Sequence, residues 1–163
     1  MNKKSLAAAC AVLALVAASP ALALAQGRAN LAPPAGTPMA VKHLNPNTAT
    51  EAQLKAAPGL TPGLVADILK ARPYKTQGDL HKVVGPKVAA AQLPAVYAAV
   101  FVPINLNTGS SEEFALIPGM SRRMVHEFEE YRPYKDMTQF NREIGKYVDA
   151  QEVARLASYV TLD

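Results

Sequence analysis
The feature that constrains this chain most is a tandem duplication: residues 44–102 lie over residues 104–162 without a gap. Asn45, Asn47, Thr48, Pro58, Gly59, Val65, Arg72, Pro73, Tyr74, Lys75, Gly85, Val88, Ala90 and Val100 each recur unchanged 60 positions further on. Because many of these are turn-forming or helix-ending residues, their ungapped recurrence means that both halves share one backbone plan. The border falls at Val102-Pro103, which gives two units, 44–102 and 103–163.

Each unit reads as four short helices, so the expected fold is all-α. Thr50 with Gln53 and Ser110 with Glu113 form capping boxes that open the first helix, which runs to the proline before the turn. A second helix starts at Thr61-Pro62 or Ser121-Arg122 and stops where Arg72-Pro73 or Arg132-Pro133 forbids continuation. Leu64 with Ile68 and Met124 with Phe128 are spaced to share its buried face. Thr76 with Asp79 and Asp136 with Gln139 announce a third helix carrying Leu80 and Val84 or Phe140 and Ile144. After Gly85 or Gly145 comes a last helix, assigned Val96 and Val100 in one unit and Val153, Leu156 and Val160 in the other. Pro94 predicts a late start or a kink in the first unit's last helix.

The turn between the first two helices reads Ala57-Pro58-Gly59-Leu60-Thr61-Pro62-Gly63-Leu64 and returns as Ile117-Pro118-Gly119-Met120-Ser121-Arg122-Arg123-Met124. Glycine supplies a backbone angle that other residues resist, and Thr61 or Ser121 caps the helix that follows. Such a turn points unpaired amide hydrogens outward from a helix start, which makes a seat for an anion such as phosphate. Arg122 and Arg123 strengthen this reading, since cations at a helix start oppose the local dipole unless an anion lies outside. The competing reading is that Glu127, Glu129 or Glu130 offsets them from the same surface. Arg72 and Arg132, at helix ends, and Tyr74 and Tyr134, beside the prolines, read as structural residues rather than ligand contacts.

The N-terminus has the form of a targeting segment. Lys3 and Lys4 precede an apolar run from Leu6 to Ala18, and Ala23-Leu24-Ala25 is a small-x-small cleavage pattern, so a signal peptide is expected over 1–25 and export to the periplasm follows. The alternative is an uncleaved inner-membrane anchor, because apolar character continues to Ala25. Residues 26–43 mix Pro, Gly and Ala without periodicity and read as a flexible linker. Cys10 is the single cysteine, inside the targeting segment, so the mature chain is expected to hold no disulfide or thiolate.

The formal charge of +4 divides unevenly. The first unit carries six basic against three acidic side chains and the second seven against ten, so a broad electrostatic footprint for nucleic acid is expected on the first. His43, His81 and His126 are scattered singly, and no Ser/His/Asp arrangement or Gly-rich loop after a strand is present. No metal, cofactor, small-molecule substrate or catalytic activity is expected.

The motifs Leu44-Asn45-Pro46-Asn47-Thr48-Ala49-Thr50, Pro58-Gly59-Leu60, Arg72-Pro73-Tyr74-Lys75 and Asp79-Leu80 resemble the helix-hairpin-helix domain of ComEA-type competence DNA receptors. The second unit repeats them as Ile104-Asn105-Leu106-Asn107-Thr108, Pro118-Gly119-Met120 and Arg132-Pro133-Tyr134-Lys135, so the resemblance covers about 120 residues. It implies tandem helix-hairpin-helix units that grip the DNA backbone without reading sequence, a function compatible with DNA uptake. Gly59 and Gly119 match the family's first hairpin glycine, while Thr61 and Ser121 replace the second, and Val65 and Val125 replace a small alanine. Gly59 to Leu64 with Ile68, Pro73-Tyr74 and Asp79-Leu80 is also similar to the extrinsic subunit U family of photosystem II, which implies an exported protein-docking element.

The residues expected to bind DNA phosphates are Gly59, Leu60, Thr61, Gly63 and Leu64 in the first turn and Gly119, Met120, Ser121, Arg122 and Arg123 in the second. Lys75, Lys82 and Lys87 are expected to assist them. With about four to six phosphates neutralised, affinity should fall steeply with salt. The alternative function is a periplasmic docking scaffold for a protein partner, favoured by the missing second glycine and the acidic second unit.

Overall fold
A computed structural model describes residues 42–162 of the chain. The signal peptide expected over 1–25, and the linker except its last two residues, lie outside the described residues.

The described chain is all-α, with four helices in each repeat. The first unit holds α1 (Glu51–Ala56), α2 (Pro62–Lys70), α3 (Gln77–Val84) and α4 (Leu93–Ala99). The second holds α5 (Ser111–Phe114), α6 (Arg122–Glu130), α7 (Met137–Ile144) and α8 (Ala150–Ala157). Both capping boxes are formed as the sequence predicts, with Thr50 and Ser110 accepting from the amides of Gln53 and Glu113. Thr76 and Asp136 cap α3 and α7 by the same third-residue amide. The first helices are shorter than expected, since the chain leaves α-geometry at Ala56 and Phe114 rather than at the following proline. No helix among the described residues is long and apolar enough to cross a membrane.

Helix α4 does start late. Asp149 caps α8 by accepting from the Glu152 amide at 2.8 Å, whereas the equivalent position in the first unit is Ala89, which has no oxygen to offer. The first unit instead passes through a 3-10 turn at Gly85–Lys87, and α4 begins at Leu93 with Pro94 in its first turn, where a missing N–H costs nothing.

Two further devices close each unit. Val100 and Val160, expected on the last helix, lie beyond it in extended backbone. Val100 bridges Leu44 in parallel, and β1 (Ile104–Asn105) pairs in parallel with β2 (Val160–Thr161), with Ile104 opposite Val160. The start of each repeat is thus tied to its end at the same register. In addition, Asn47 uses both halves of its amide on the backbone of Tyr74, donating to its carbonyl and accepting from its N–H at 2.8 Å each. Asn107 does the same to Tyr134, at 3.0 and 2.7 Å.

The cores follow one plan in different materials. Leu54, Ile68 and Leu80 fill the first unit, and Phe114, Phe128 and Phe140 stand at the equivalent positions of the second, all buried. The three phenyl rings meet edge to face at 5.4 and 5.1 Å, a geometry worth about 0.5–1.5 kcal/mol per pair beyond area burial. Between the units, Phe101 meets Tyr159 edge-on at 4.8 Å and His43 stacks on Tyr159 at 3.9 Å. Two polar bonds flank this aromatic seam, the first within the first unit and the second across the boundary. The Val102 amide donates to Gln77 Oε1 at 2.9 Å, and the Gly78 amide donates to Glu113 Oε1 at 3.1 Å.

Candidate nucleic-acid interface
The two turns are built alike. Pro58 and Gly59 form the corner of a turn in which Leu60 donates its amide to the Ala57 carbonyl at 3.4 Å, and Met120 donates to Ile117 at 3.0 Å. Gly59 has φ of +80° and Gly119 of +77°, the third-position conformation of a type II turn, which L side chains resist. Gly59 is constrained twice, because a β-carbon there would also lie 3.3 Å from Val96 Cγ2.

The hydroxyl oxygens of Thr61 and Ser121 then accept from the amides of Leu64, at 3.3 Å, and Met124, at 3.1 Å. The first carbonyl-to-amide bonds of α2 and α6 run from Thr61 to Val65 and from Ser121 to Val125. These bonds decide which amides are left for a ligand. Leu60, Leu64 and Met120, all expected to present donors, have theirs engaged inside the turn, and the Leu64 side chain is buried. In the first turn Pro62 has no N–H at all, which leaves Thr61 and Gly63 at the helix start, beside the Gly59 amide in the turn itself. In the second, Ser121, Arg122 and Arg123 present three successive amides, since the first-turn N–H groups of a helix have no intrahelical acceptor. Gly59, Thr61, Gly63, Gly119, Ser121, Arg122 and Arg123 are all exposed.

The cations are distributed in the same direction. Arg122 has no ion-pair partner among the described residues. Arg123 lies back along α6, with Nε 3.7 Å from the buried Glu127 and its guanidinium 5.5 Å from the Tyr147 ring centre. Glu129 is instead held by Ser111 at 2.5 Å, and Glu130 faces His126 at 3.7 Å, so neither offsets Arg122. Of the first-unit lysines, Lys87 pairs with Asp67, and Lys82 with Asp79 at 3.1 Å, where it holds that carboxyl below its ordinary range. Lys75 has no ion pair among the described residues and lines a cleft between the units.

One contributor escaped the sequence reading. Arg155 donates from Nη1 to the Pro118 carbonyl at 2.7 Å while both its other nitrogens bond Glu152, so α8 anchors the second turn from beneath. The first unit has Ala95 at that position, and nothing in the repeat pattern signals a contact 37 residues away. Arg72 and Arg132 prove structural: Arg72 donates to the Ala49 carbonyl at 2.6 Å, and Arg132 to those of Leu106 and Gly109 at 2.6 Å. Tyr74 and Tyr134 are buried, with Tyr74 Oη donating to the Ile68 carbonyl at 2.9 Å.

The net charges of the units therefore mislead about the local field. The acids of the second unit are largely occupied as helix caps or in ion pairs, and it is this unit that brings three amides and two arginines to one turn. No family model matches the chain, and no curated protein or solved structure matches it either.

Proposed function
We propose that this is an exported, periplasmic helix-hairpin-helix protein that binds DNA through its backbone phosphates with little sequence preference, in the manner of the ComEA-type receptors it resembles. The observation that carries the reading is the second turn, where the amides of Ser121, Arg122 and Arg123 face solvent beside an unpaired Arg122. Backbone amides at a helix start and a guanidinium are both phosphate donors, and neither reads a base. The first turn offers a weaker copy of the same seat through Thr61 and Gly63. Binding would engage few phosphates, so affinity is modest and falls with salt in proportion to the number engaged.

The test is fluorescence anisotropy of the purified protein with random duplex DNA at two salt concentrations, beside Arg122→Glu/Arg123→Glu. Saturable binding that weakens with salt and is lost in the double variant supports the proposal. Salt-insensitive background in the wild type overturns it. A docking role is the second reading, favoured by Arg123 being already paired with Glu127, which leaves Arg122 as the one arginine of this turn without an ion pair among the described residues, a group that a partner's carboxylate also suits.

A further inference from the structure
The two units differ in what fills the space between their last two helices. In the first, His81 on α3 and Tyr97 on α4 meet there: His81 Nδ1 and the Tyr97 hydroxyl share a hydrogen bond at 2.5 Å, and the rings stand edge to face at 6.1 Å. A β-carbon at Gly85 would lie 2.8 Å from His81 Cε1, so the imidazole covers the glycine that ends α3. Tyr97 is buried. The pair closes this side of the first unit.

The equivalent positions of the second unit hold Asn141 and Ala157. With both side chains shorter, a groove of about 580 Å³ lies between α7 and α8, lined by Asn141, Gly145, Val148, Val153, Ala154 and Ala157. The three atoms nearest a β-carbon at Gly145 would all be backbone, of Asn141 and Arg142, where Gly85 meets three imidazole atoms. The first unit thus shows which chemistry fills this space: a phenol whose hydroxyl meets a polar side chain. Asn141 carries an amide able to bond such a hydroxyl. No charged side chain lines the groove, so the group that enters it is uncharged. The chain has no spare ring to supply. Residues 1–41 contain no Phe, Tyr, Trp or His, and every tyrosine and phenylalanine of the described residues is buried or half-buried. A second copy of the chain offers no such ring either. The volume exceeds one ring, and Asn141, Gly145 and Ala150 are exposed along the walls, so polypeptide flanking a ring has room to pass out.

We propose that the groove between α7 and α8 receives the side chain of a tyrosine presented by a partner protein, its ring against Val148, Val153 and Ala157 and its hydroxyl toward Asn141. The proposal does not depend on DNA binding. The probe is N-acetyl-tyrosinamide, which is uncharged and carries peptide groups on both sides of the residue, titrated into the purified protein and followed by NMR. Saturable binding with a Kd of about 1–10 mM is expected, with shifts at the methyls of Val148, Val153, Ala154 and Ala157. N-acetyl-leucinamide lacks the ring and p-cresol lacks the peptide groups, so each is expected to bind about threefold or more weakly.

Asn141→His/Ala157→Tyr installs the first unit's pair, so it should abolish binding of N-acetyl-tyrosinamide with the fold intact by circular dichroism. Ala154→Glu, which places a charge on the half-buried groove wall, should abolish it even if the double variant fails to fold. Arg122→Glu/Arg123→Glu should leave it unchanged. Absence of saturable binding, shifts confined to other residues, equal or tighter binding of N-acetyl-leucinamide or p-cresol, or unaltered binding in a folded groove variant overturns the proposal. So does self-association that the groove variants abolish, which would assign the groove to a second copy.

Discussion

The carboxylate of Glu113 holds the amide of Gly78 across the boundary between the two units while capping its own helix through the amide of Ser110. Its counterpart in the first unit, Gln53, caps only its own helix, accepting from the Thr50 amide at 2.8 Å. The duplicated capping box has thus acquired, in one copy, a second duty that joins the copies. Glu113→Ala should therefore destabilise the protein more than Gln53→Ala. A lost cap costs roughly 0.5–2 kcal/mol, and the further charge-assisted bond adds about 1.5–3 kcal/mol. Urea denaturation of the two variants measures the difference, and equal losses would show that the inter-unit bond carries no weight.

How far this fold could be read in advance follows from the range of each interaction. The caps at Thr50, Thr61, Thr76, Ser110, Ser121 and Asp136 all join a side chain to an amide three residues on, so the sequence displays both partners together. The recurrence of Asn47 and Asn107 was visible, but the Tyr74 and Tyr134 backbones they clamp lie 27 residues away. Likewise Val100 and Val160 fit a helical spacing, and nothing local reveals that Leu44 and Ile104 return to pair with them. For the candidate site, the turns and their glycines were legible. Which amides remain open depended on hydrogen bonds that only the folded turn defines.

The seam between the units makes stability depend on pH through His43. Burial against Phe101 and Tyr159 pushes its pKa below 6.5, the ordinary value, and its Nε2 donates to the Ser158 carbonyl at 2.9 Å. Arg155, which bonds Glu152, adds a smaller push in the same direction, while the Ser158 bond opposes it. The unfolded chain then binds a proton near pH 6.5 that the folded chain refuses, so this contribution is present above 6.5 and is lost as pH falls through the lower folded value. Chemical denaturation between about pH 7 and 5 should show falling stability. His43→Phe, which keeps the stacking ring, should flatten that slope. An unchanged slope in the variant would assign the effect to other groups.

Arg122 and Arg155 both serve the second turn but should leave different signatures. Arg122 is an exposed cation with no ion pair among the described residues, so Arg122→Ala should weaken DNA binding and reduce the slope of log affinity against log salt by about 1. Arg155 is neutralised by Glu152 and touches the turn through the Pro118 carbonyl. Arg155→Met should weaken binding by loosening the turn, with the salt slope unchanged. Anisotropy titrations at several salt concentrations distinguish the two, and identical slopes would remove the distinction between contact and support.

The first turn offers the opposite kind of test, a gain. Thr61 and Gly63 present amides, but Pro62 between them has no N–H, whereas Arg122 at the equivalent position supplies one. Proline is tolerated at the first position of α2 because that N–H has no partner within the helix, so Pro62→Ala should change stability little. It restores a continuous run of three donors at the start of α2, matching the second turn. If phosphate is seated by these amides, one added hydrogen bond of about 0.5–1.5 kcal/mol should tighten DNA binding several-fold without altering the salt slope, since no charge has changed. The measurement is the same anisotropy titration, with thermal melting to verify that the fold is retained. Unchanged affinity in a folded Pro62→Ala variant would mean that the first turn does not touch the DNA.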